Sequence, residues 1–198
     1  MNINKINKYN SNIINDINNI INENNINNKF KYLYEIYTKM IDNTKIYFNG
    51  KYIGELNNNK REGKGIMHYY NGDRYEGEWK NDLFEGKGIY YYNNGQWKGD
   101  RYEGEYKKDK KGEKGIYYFN NGDRYEGEWK NSKREGKGII YYNNNDRYEG
   151  DWKNGKTEGK GIYYYNNGDR EMGDYLNGKA IGKHVTLHAN GNITSKNY

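Results

Sequence analysis

From Tyr75 to Lys80 the chain alternates without exception: Tyr75, Gly77 and Trp79 fall on one side of an extended segment, Glu76, Glu78 and Lys80 on the other. Period two predicts a β-strand with one face on a core and one in water. A second segment, Gly86 to Tyr92, repeats the logic, with Gly86, Gly88, Tyr90 and Tyr92 sharing a face. A polar connection of about five residues joins the two, and Asn-Gly-Asp sequences supply the tight turn that follows. The pair predicts a β-hairpin.

The hairpin recurs. NGDRYEGEWKN stands at 71–81 and again at 121–131, and a variant, NDRYEGDWKN, begins at Asn145. Units start at Tyr52, Tyr75, Tyr102, Tyr125, Tyr148 and Glu171, dividing 52–193 into 52–74, 75–101, 102–124, 125–147, 148–170 and 171–193. The second is lengthened by an insertion around GQWKGDR. A half repeat at 43–51 precedes them and a short tail at 194–198 follows. Repetition at a short fixed period predicts a stacked architecture in which each unit buries its apolar face against its neighbours.

Glycine normally weakens a strand, so glycines on the core face need a reason. Without a side chain the backbone leaves a slot, and a Tyr or Trp ring from a neighbouring strand can lie across it. Aromatic-over-glycine packing then replaces an aliphatic core. The expected fold class is mainly β: an elongated single-layer antiparallel β-hairpin repeat solenoid, on the order of 60 Å long at about 4.8 Å per strand, with a short N-terminal helix. That helix is predicted over 29–42, where Phe30, Leu33, Tyr34, Tyr37, Met40 and Ile41 make one helical stripe; its expected role is an N-terminal cap. Residues 1–28 are an Asn/Ile-rich low-complexity tail, either disordered or a frayed helix.

Composition supports an aromatic core and narrows the chemistry. Tyr fills 25 of 198 positions, and there is no Cys and no Pro. Disulfides, Cys-containing zinc sites and thiol nucleophiles are thereby excluded. The formal charge of +6 is interspersed, which gives weak attraction to anionic surfaces. No apolar run is long enough to span a membrane, and the first residues lack a signal-peptide core. The expectation is a cytoplasmic protein that is not secreted, with association to cytoskeleton or membrane left open.

The phased pattern Tyr-x-Gly-x-Trp, then Gly-x-Gly, then Asn-Gly-Asp resembles the MORN repeat (membrane occupation and recognition nexus) family from Tyr52 to Ile193. Departures occur at Leu56 and Tyr106, which replace the Trp, at Glu113, which replaces the first Gly of Gly-x-Gly, and at Asn145, in place of the turn Gly. In the last unit Glu171 replaces the Tyr and His184 the second Gly. The resemblance implies a non-catalytic scaffold or adaptor in a cytoskeletal, ciliary or membrane-associated assembly, often dimeric. Binding of acidic phospholipids is the alternative it implies.

Candidate sites follow. Tyr75, Trp79, Trp97, Tyr125, Trp129, Tyr148 and Trp152 are candidate protein-contact aromatics; Trp97, in the insertion, either covers the sheet or stands exposed. Lys107, Lys108, Lys110, Lys111 and Lys114 form the one local charge excess. They are read as lying in the loop between strands, where they could fan outward to grip an anionic head group at about 1 kcal/mol per Lys. His184 and His188 lack a third ligand and read as a chance pair. Carboxylates pair with Lys and Arg of adjacent strands, and the recurring Gly-Lys-Gly lacks P-loop spacing. No catalytic, cofactor or metal site is expected, and interleaved Glu argues against a nucleic-acid track. Expected partners are proteins, a second copy through the terminal repeats, or an acidic phospholipid; a secreted choline- or glycan-binding repeat is a poorer fit.

Overall fold

The computed structural model describes residues 43–198, so the 1–28 tail and the 29–42 helix lie outside the described residues. Fourteen strands form one open antiparallel sheet in strict chain order. They are β1 (Thr44–Tyr47), β2 (Gly50–Asn57), β3 (Lys60–Tyr69), β4 (Arg74–Lys80), β5 (Leu83–Tyr91), β6 (Arg101–Lys107) and β7 (Lys110–Tyr118). The second half comprises β8 (Arg124–Lys130), β9 (Lys133–Tyr141), β10 (Arg147–Lys153), β11 (Lys156–Tyr164), β12 (Arg170–Leu176), β13 (Lys179–Leu187) and β14 (Ile193–Asn197). The fold is the single-layer hairpin repeat that the alternation predicts.

The connection inside each unit differs from the expected five-residue loop. Lys80 pairs with Leu83 and Lys107 with Lys110, so each hairpin closes through two residues. Both carry positive φ, as at Asn81 (50°) and Asp82 (68°). Such turns match the right-handed twist of the strands. The residues taken for loop are paired strand, displaced by a bulge between Gly77 and Trp79 and its equivalents. In the second unit Gly86 meets this bulge with φ 63°, and a Cβ there would lie 2.8 Å from the Glu78 carboxyl carbon.

One row of glycines crosses eleven strands in continuous register: Gly54, Gly65, Gly77, Gly88, Gly104, Gly115, Gly127, Gly138, Gly150, Gly161 and Gly173. Above it lie Tyr52, Tyr75, Tyr102, Tyr125 and Tyr148, all 0–2% exposed. Each ring crosses the glycine of its partner strand, and each hydroxyl donates to the carbonyl three residues on, as from Tyr75 to Glu78 at 2.9 Å. The tryptophans then join units. Trp79 stands edge-on to Tyr52 of the preceding unit (5.4 Å) and to Tyr75 of its own (5.0 Å), and its Nε1 donates to the Gly65 carbonyl at 3.1 Å. Aromatic pairs of this geometry contribute about 0.5–1.5 kcal/mol beyond area burial, so the coupling between neighbours is built from rings.

Each edge is stitched separately. Along the Asn-Gly-Asp turns, Asp73, Asp100, Asp123, Asp146 and Asp169 accept from a backbone amide of the following turn at 2.8–2.9 Å. Along the two-residue turns, Glu62, Glu85, Glu135 and Glu158 do the same at 2.9–3.0 Å. The third unit has Gly112 where this Glu belongs; its Lys111 N donates to Ser132 Oγ at 3.1 Å, as Arg61 N and Phe84 N donate to Asp82 and Asp109 of the next turn in the first two units.

Candidate functional site: the aromatic face

The two faces differ in kind. On the charged face Glu76, Glu103, Glu126 and Glu149 alternate across the strands with Ile89, Ile116, Ile139 and Ile162. Arg74, Arg101, Arg124 and Arg147 lie over the rings of Tyr91, Tyr118, Tyr141 and Tyr164 at 4.0–4.4 Å. Lys137–Asp151 (2.6 Å) and Lys160–Asp174 (3.6 Å) pair across adjacent strands. Exposed ion pairs of this sort stabilise little, roughly 0–1 kcal/mol each. A shallow trough of 770 Å³ runs over Ile89 and Ile116, walled by these Glu and Lys side chains.

The other face holds the predicted contact aromatics, and six of the seven are inaccessible. Tyr75, Trp79, Tyr125, Trp129, Tyr148 and Trp152 are 0–8% exposed. Their rings are consumed in joining the units, so they form the core of the free chain and leave no surface for a partner. Trp97 is the exception: it ends a 3-10 turn, Gly95–Trp97, and is 51% exposed.

What remains open is an outer row that sequence reasoning did not single out. Tyr69, Tyr92, Phe119 and Tyr142 are partly buried against the core, and Tyr165 is exposed. One ring per unit follows the Asn-Gly-Asp edge. Within units they meet the middle row at short range, as for Tyr92 with Tyr90 (4.6 Å), Phe119 with Tyr117 (4.7 Å) and Tyr165 with Tyr163 (4.7 Å). Burial raises the phenols of Tyr69 and Tyr92 to about 12, so this surface carries neutral hydroxyls at physiological pH. The signal was present in the aromatic residue that stands four positions after the second Gly of Gly-x-Gly in each of the first five units: Tyr69, Tyr92, Phe119, Tyr142 and Tyr165.

The five lysines do not act together. Lys107 ends β6, Lys108 lies in the two-residue turn, and Lys110, Lys111 and Lys114 belong to β7. Lys107, Lys108, Lys110 and Lys114 are exposed. Lys111 points the other way, with its ammonium 4.2 Å from the Tyr117 ring centroid and 4.8 Å from those of Tyr102 and Trp129. Burial pulls this ammonium down to about 7, partly opposed by the Asp100 carboxylate. A side chain packed among rings does not fan outward, so the expected five-lysine grip reduces to four.

The two histidines are separate devices. In the last unit Glu171 and His184 exchange roles with the usual Tyr and Gly. His184, 1% exposed, lays its ring over Gly173, and its Nε2 lies 2.9 Å from the Asp174 carbonyl, the bond a Tyr hydroxyl makes elsewhere. Its Nδ1 lies 2.9 Å from Glu171 Oε1. Burial alone would raise the Glu171 carboxyl, but bonds from Tyr165, Tyr198 and His184 outweigh it and hold the group below its usual range. His188 instead bridges Asp169 (2.9 Å) and Thr194 (2.8 Å). Among the described residues no group of three His, Cys, Asp or Glu is arranged to hold a metal ion, and no helix is long and apolar enough to cross a membrane.

The MORN repeat profile matches five consecutive segments, 52–74, 75–97, 102–124, 125–147 and 148–170, which together exceed half the chain. The chain belongs to the MORN repeat family. The sixth hairpin, with its exchanged Tyr and Gly, lies outside the matched segments. No curated protein matches the sequence. Among solved structures, the SAS-4 (dCPAP) TCP domain of Drosophila melanogaster, in complex with a proline-rich motif of Ana2, is similar at TM-score 0.51 and 18% identity over 78% of this chain and 83% of that one. The TCP10 domain of Danio rerio CPAP, in complex with a STIL peptide, aligns at TM-score 0.34 and 12% identity over 78% and 82%. The first shares with this MORN chain the fold of an open sheet.

Proposed function

We propose that this MORN chain is a non-catalytic scaffold that binds protein partners on its aromatic face. The observation that carries the reading is the outer row from Tyr69 to Tyr165, a line of half-covered rings held rigid by a buried core. A row of flat, half-covered rings suits an extended, proline-containing segment, which docks on aromatic surfaces at small entropic cost. The Drosophila domain of similar fold, which binds a proline-rich motif, agrees with this ligand class. Service in a cytoskeletal assembly belongs to the same proposal, as does end-to-end pairing of two copies through the exposed strand β14.

The test is photo-crosslinking from single sites in cell extract. Benzoylphenylalanine at Phe119, in the outer row, is expected to capture a discrete protein, while the same group at Ile116 on the charged face captures none. Capture from Ile116 alone would move the site to the trough, and capture from neither would end the scaffold reading.

Binding of acidic phospholipid is a second reading, favoured by one observation. Exposed Lys107, Lys108, Lys110, Lys130, Lys133, Lys153 and Lys156 flank successive two-residue turns along a single edge. Sedimentation with phosphoinositide vesicles at about 150 mM salt, lost when Lys107, Lys108, Lys110 and Lys114 become Ser, would support it. No sedimentation would remove it.

A further inference from the structure

On the aromatic face one position per unit decides what fills the space beside the Trp. It is the second residue of the second strand: Arg61, Phe84, Lys111, Arg134, Thr157 and Ala180 in turn, directly opposite Leu56, Trp79, Tyr106, Trp129, Trp152 and Tyr175. Three times the chain fills this slot with its own cation. The Arg61 guanidinium lies 4.2 Å from the Trp79 ring centroid, and Arg134 lies 4.3 Å from Trp152 and 5.5 Å from Tyr125. Lys111 sits among the rings of the third unit. Each arginine also donates from Nη2 to a carbonyl of the next two-residue turn, Asp82 O at 2.8 Å and Gly155 O at 2.7 Å. Phe84 fills the second slot by stacking on Tyr75 at 3.7 Å.

The fifth unit keeps the slot and lacks the filling. Tyr148 and Tyr175 meet edge-on at 5.0 Å and 81°, reproducing the Tyr125–Trp152 arrangement of 5.1 Å and 78° that holds Arg134. The next turn is Asn177-Gly178, the same Asn-Gly pair as Asn154-Gly155, so the Gly178 carbonyl stands where Gly155 accepts from Arg134. Thr157 is too short to reach either ring face or that carbonyl. Exposure agrees: Trp79, Tyr106, Trp129 and Trp152 are 3–8% exposed, whereas Tyr175 is only partly buried.

We propose that this slot, bounded by the half-buried Tyr175 ring and the Gly178 carbonyl, with the buried Tyr148 behind Tyr175, receives the guanidinium of an arginine from a partner protein. The chain's own Arg134 shows the pose: the cation lies 4.3 Å from the centroid of Trp152, the counterpart of Tyr175, attracted by the ring quadrupole, with one N–H donated to a turn carbonyl. The proposal rests on the scaffold reading for its biology and stands apart from it in its test.

The probe is N-acetyl-arginine amide, titrated into the full chain and followed by backbone amide NMR, with the neutral isostere N-acetyl-citrulline amide as control. Shifts at Thr157, Tyr175 and Gly178 are expected to be at least fivefold larger with the arginine probe. They should vanish in Thr157→Arg, which fills the slot from within. Should that variant alter the spectrum beyond the fifth and sixth units, Tyr175→Leu, which removes the ring as Leu56 does in the first unit, must abolish the shifts instead. Equal shifts with both probes, or arginine shifts that survive these substitutions, would overturn the site. Loss of the site with crosslinking at Phe119 intact leaves the scaffold standing; arginine binding without any crosslinked protein leaves the site and removes the scaffold.

Discussion

If tyrosine over glycine holds the units together, a single methyl group placed beneath one ring should be felt out of proportion to its size. Gly115 lies under Tyr102, and a Cβ there would overlap the phenol oxygen and lie 2.5 Å from Cζ. The ring cannot yield, because Tyr106 and Trp129 stand edge-on to it at 5.2 Å on either side. Forcing a methylene into such packing costs about 1–3 kcal/mol. Displacing the ring also weakens the Tyr102 hydroxyl bond to the Glu105 carbonyl, now 3.2 Å, worth about 1 kcal/mol. Against this, Gly→Ala removes unfolded-state entropy worth roughly 0.4–1 kcal/mol. Gly115→Ala should therefore destabilise by about 2 kcal/mol. The assay is urea unfolding followed by tryptophan fluorescence, to which Trp129, beside the perturbed ring, contributes. The control is Gly155→Asn: that turn residue has φ 85° with nothing within 4 Å of its Cβ, and Asn59 and Asp82 occupy the same turn position at φ 67° and 68°. It should stay within about 0.5 kcal/mol of the parent. A Gly115→Ala variant as stable as that control would refute the packing argument.

Three further outcomes follow from buried polar groups. Burial lowers the Lys111 ammonium from 10.5 to about 7, so between these values the unfolded chain binds the proton more and stability should rise with pH; Lys111→Met should lose that rise in urea midpoints compared at pH 7 and pH 9.5. Tyr106 Oη is buried without a hydrogen-bond partner, whereas Trp79, Trp129 and Trp152 donate to Gly65, Gly115 and Gly138. Tyr106→Phe should therefore leave the thermal midpoint unchanged or raise it, by up to about 1 kcal/mol in stability. The Glu171 carboxyl is held below its unfolded range, so its contribution is present above that range and lost as pH falls through the folded value. Glu171→Gln should cost about 2 kcal/mol at pH 7 and abolish that acid-dependent loss, read by circular dichroism during acid titration.

Much of this was legible in the sequence because alternation with period two needs no tertiary information. Tyr75, Gly77 and Trp79 face together in the structure as in the text, and the need for rings above bare backbone follows from composition alone. The two-residue turn was hidden because Asn81-Asp82 sits within a polar run that reads as loop until the pairing of Lys80 with Leu83 is known. That misreading carried Lys111 outward, when counting one register further would have aligned it with Arg61, Phe84 and Arg134. The contact aromatics failed for another reason. A repeated Trp carries the same letter whether it joins units or greets a partner, and only burial separates Trp79 from Trp97. The Glu171–His184 exchange was visible as two departures in one unit, and their compensation became apparent only when the His184 ring was placed over Gly173 with Glu171 bonded to its Nδ1.

The claim that recognition lies on the aromatic face is tested most directly by hydroxyl-radical footprinting of the protein, free and bound to the protein captured from Phe119. Tyr92, Phe119, Tyr142 and Tyr165 report on that face, and Met172, exposed at 40% beside Ile162 and Val185, reports on the charged one. The account predicts reduced oxidation of the four rings with Met172 unchanged. Protection of Met172 with the ring row still oxidised at its free rate would contradict it.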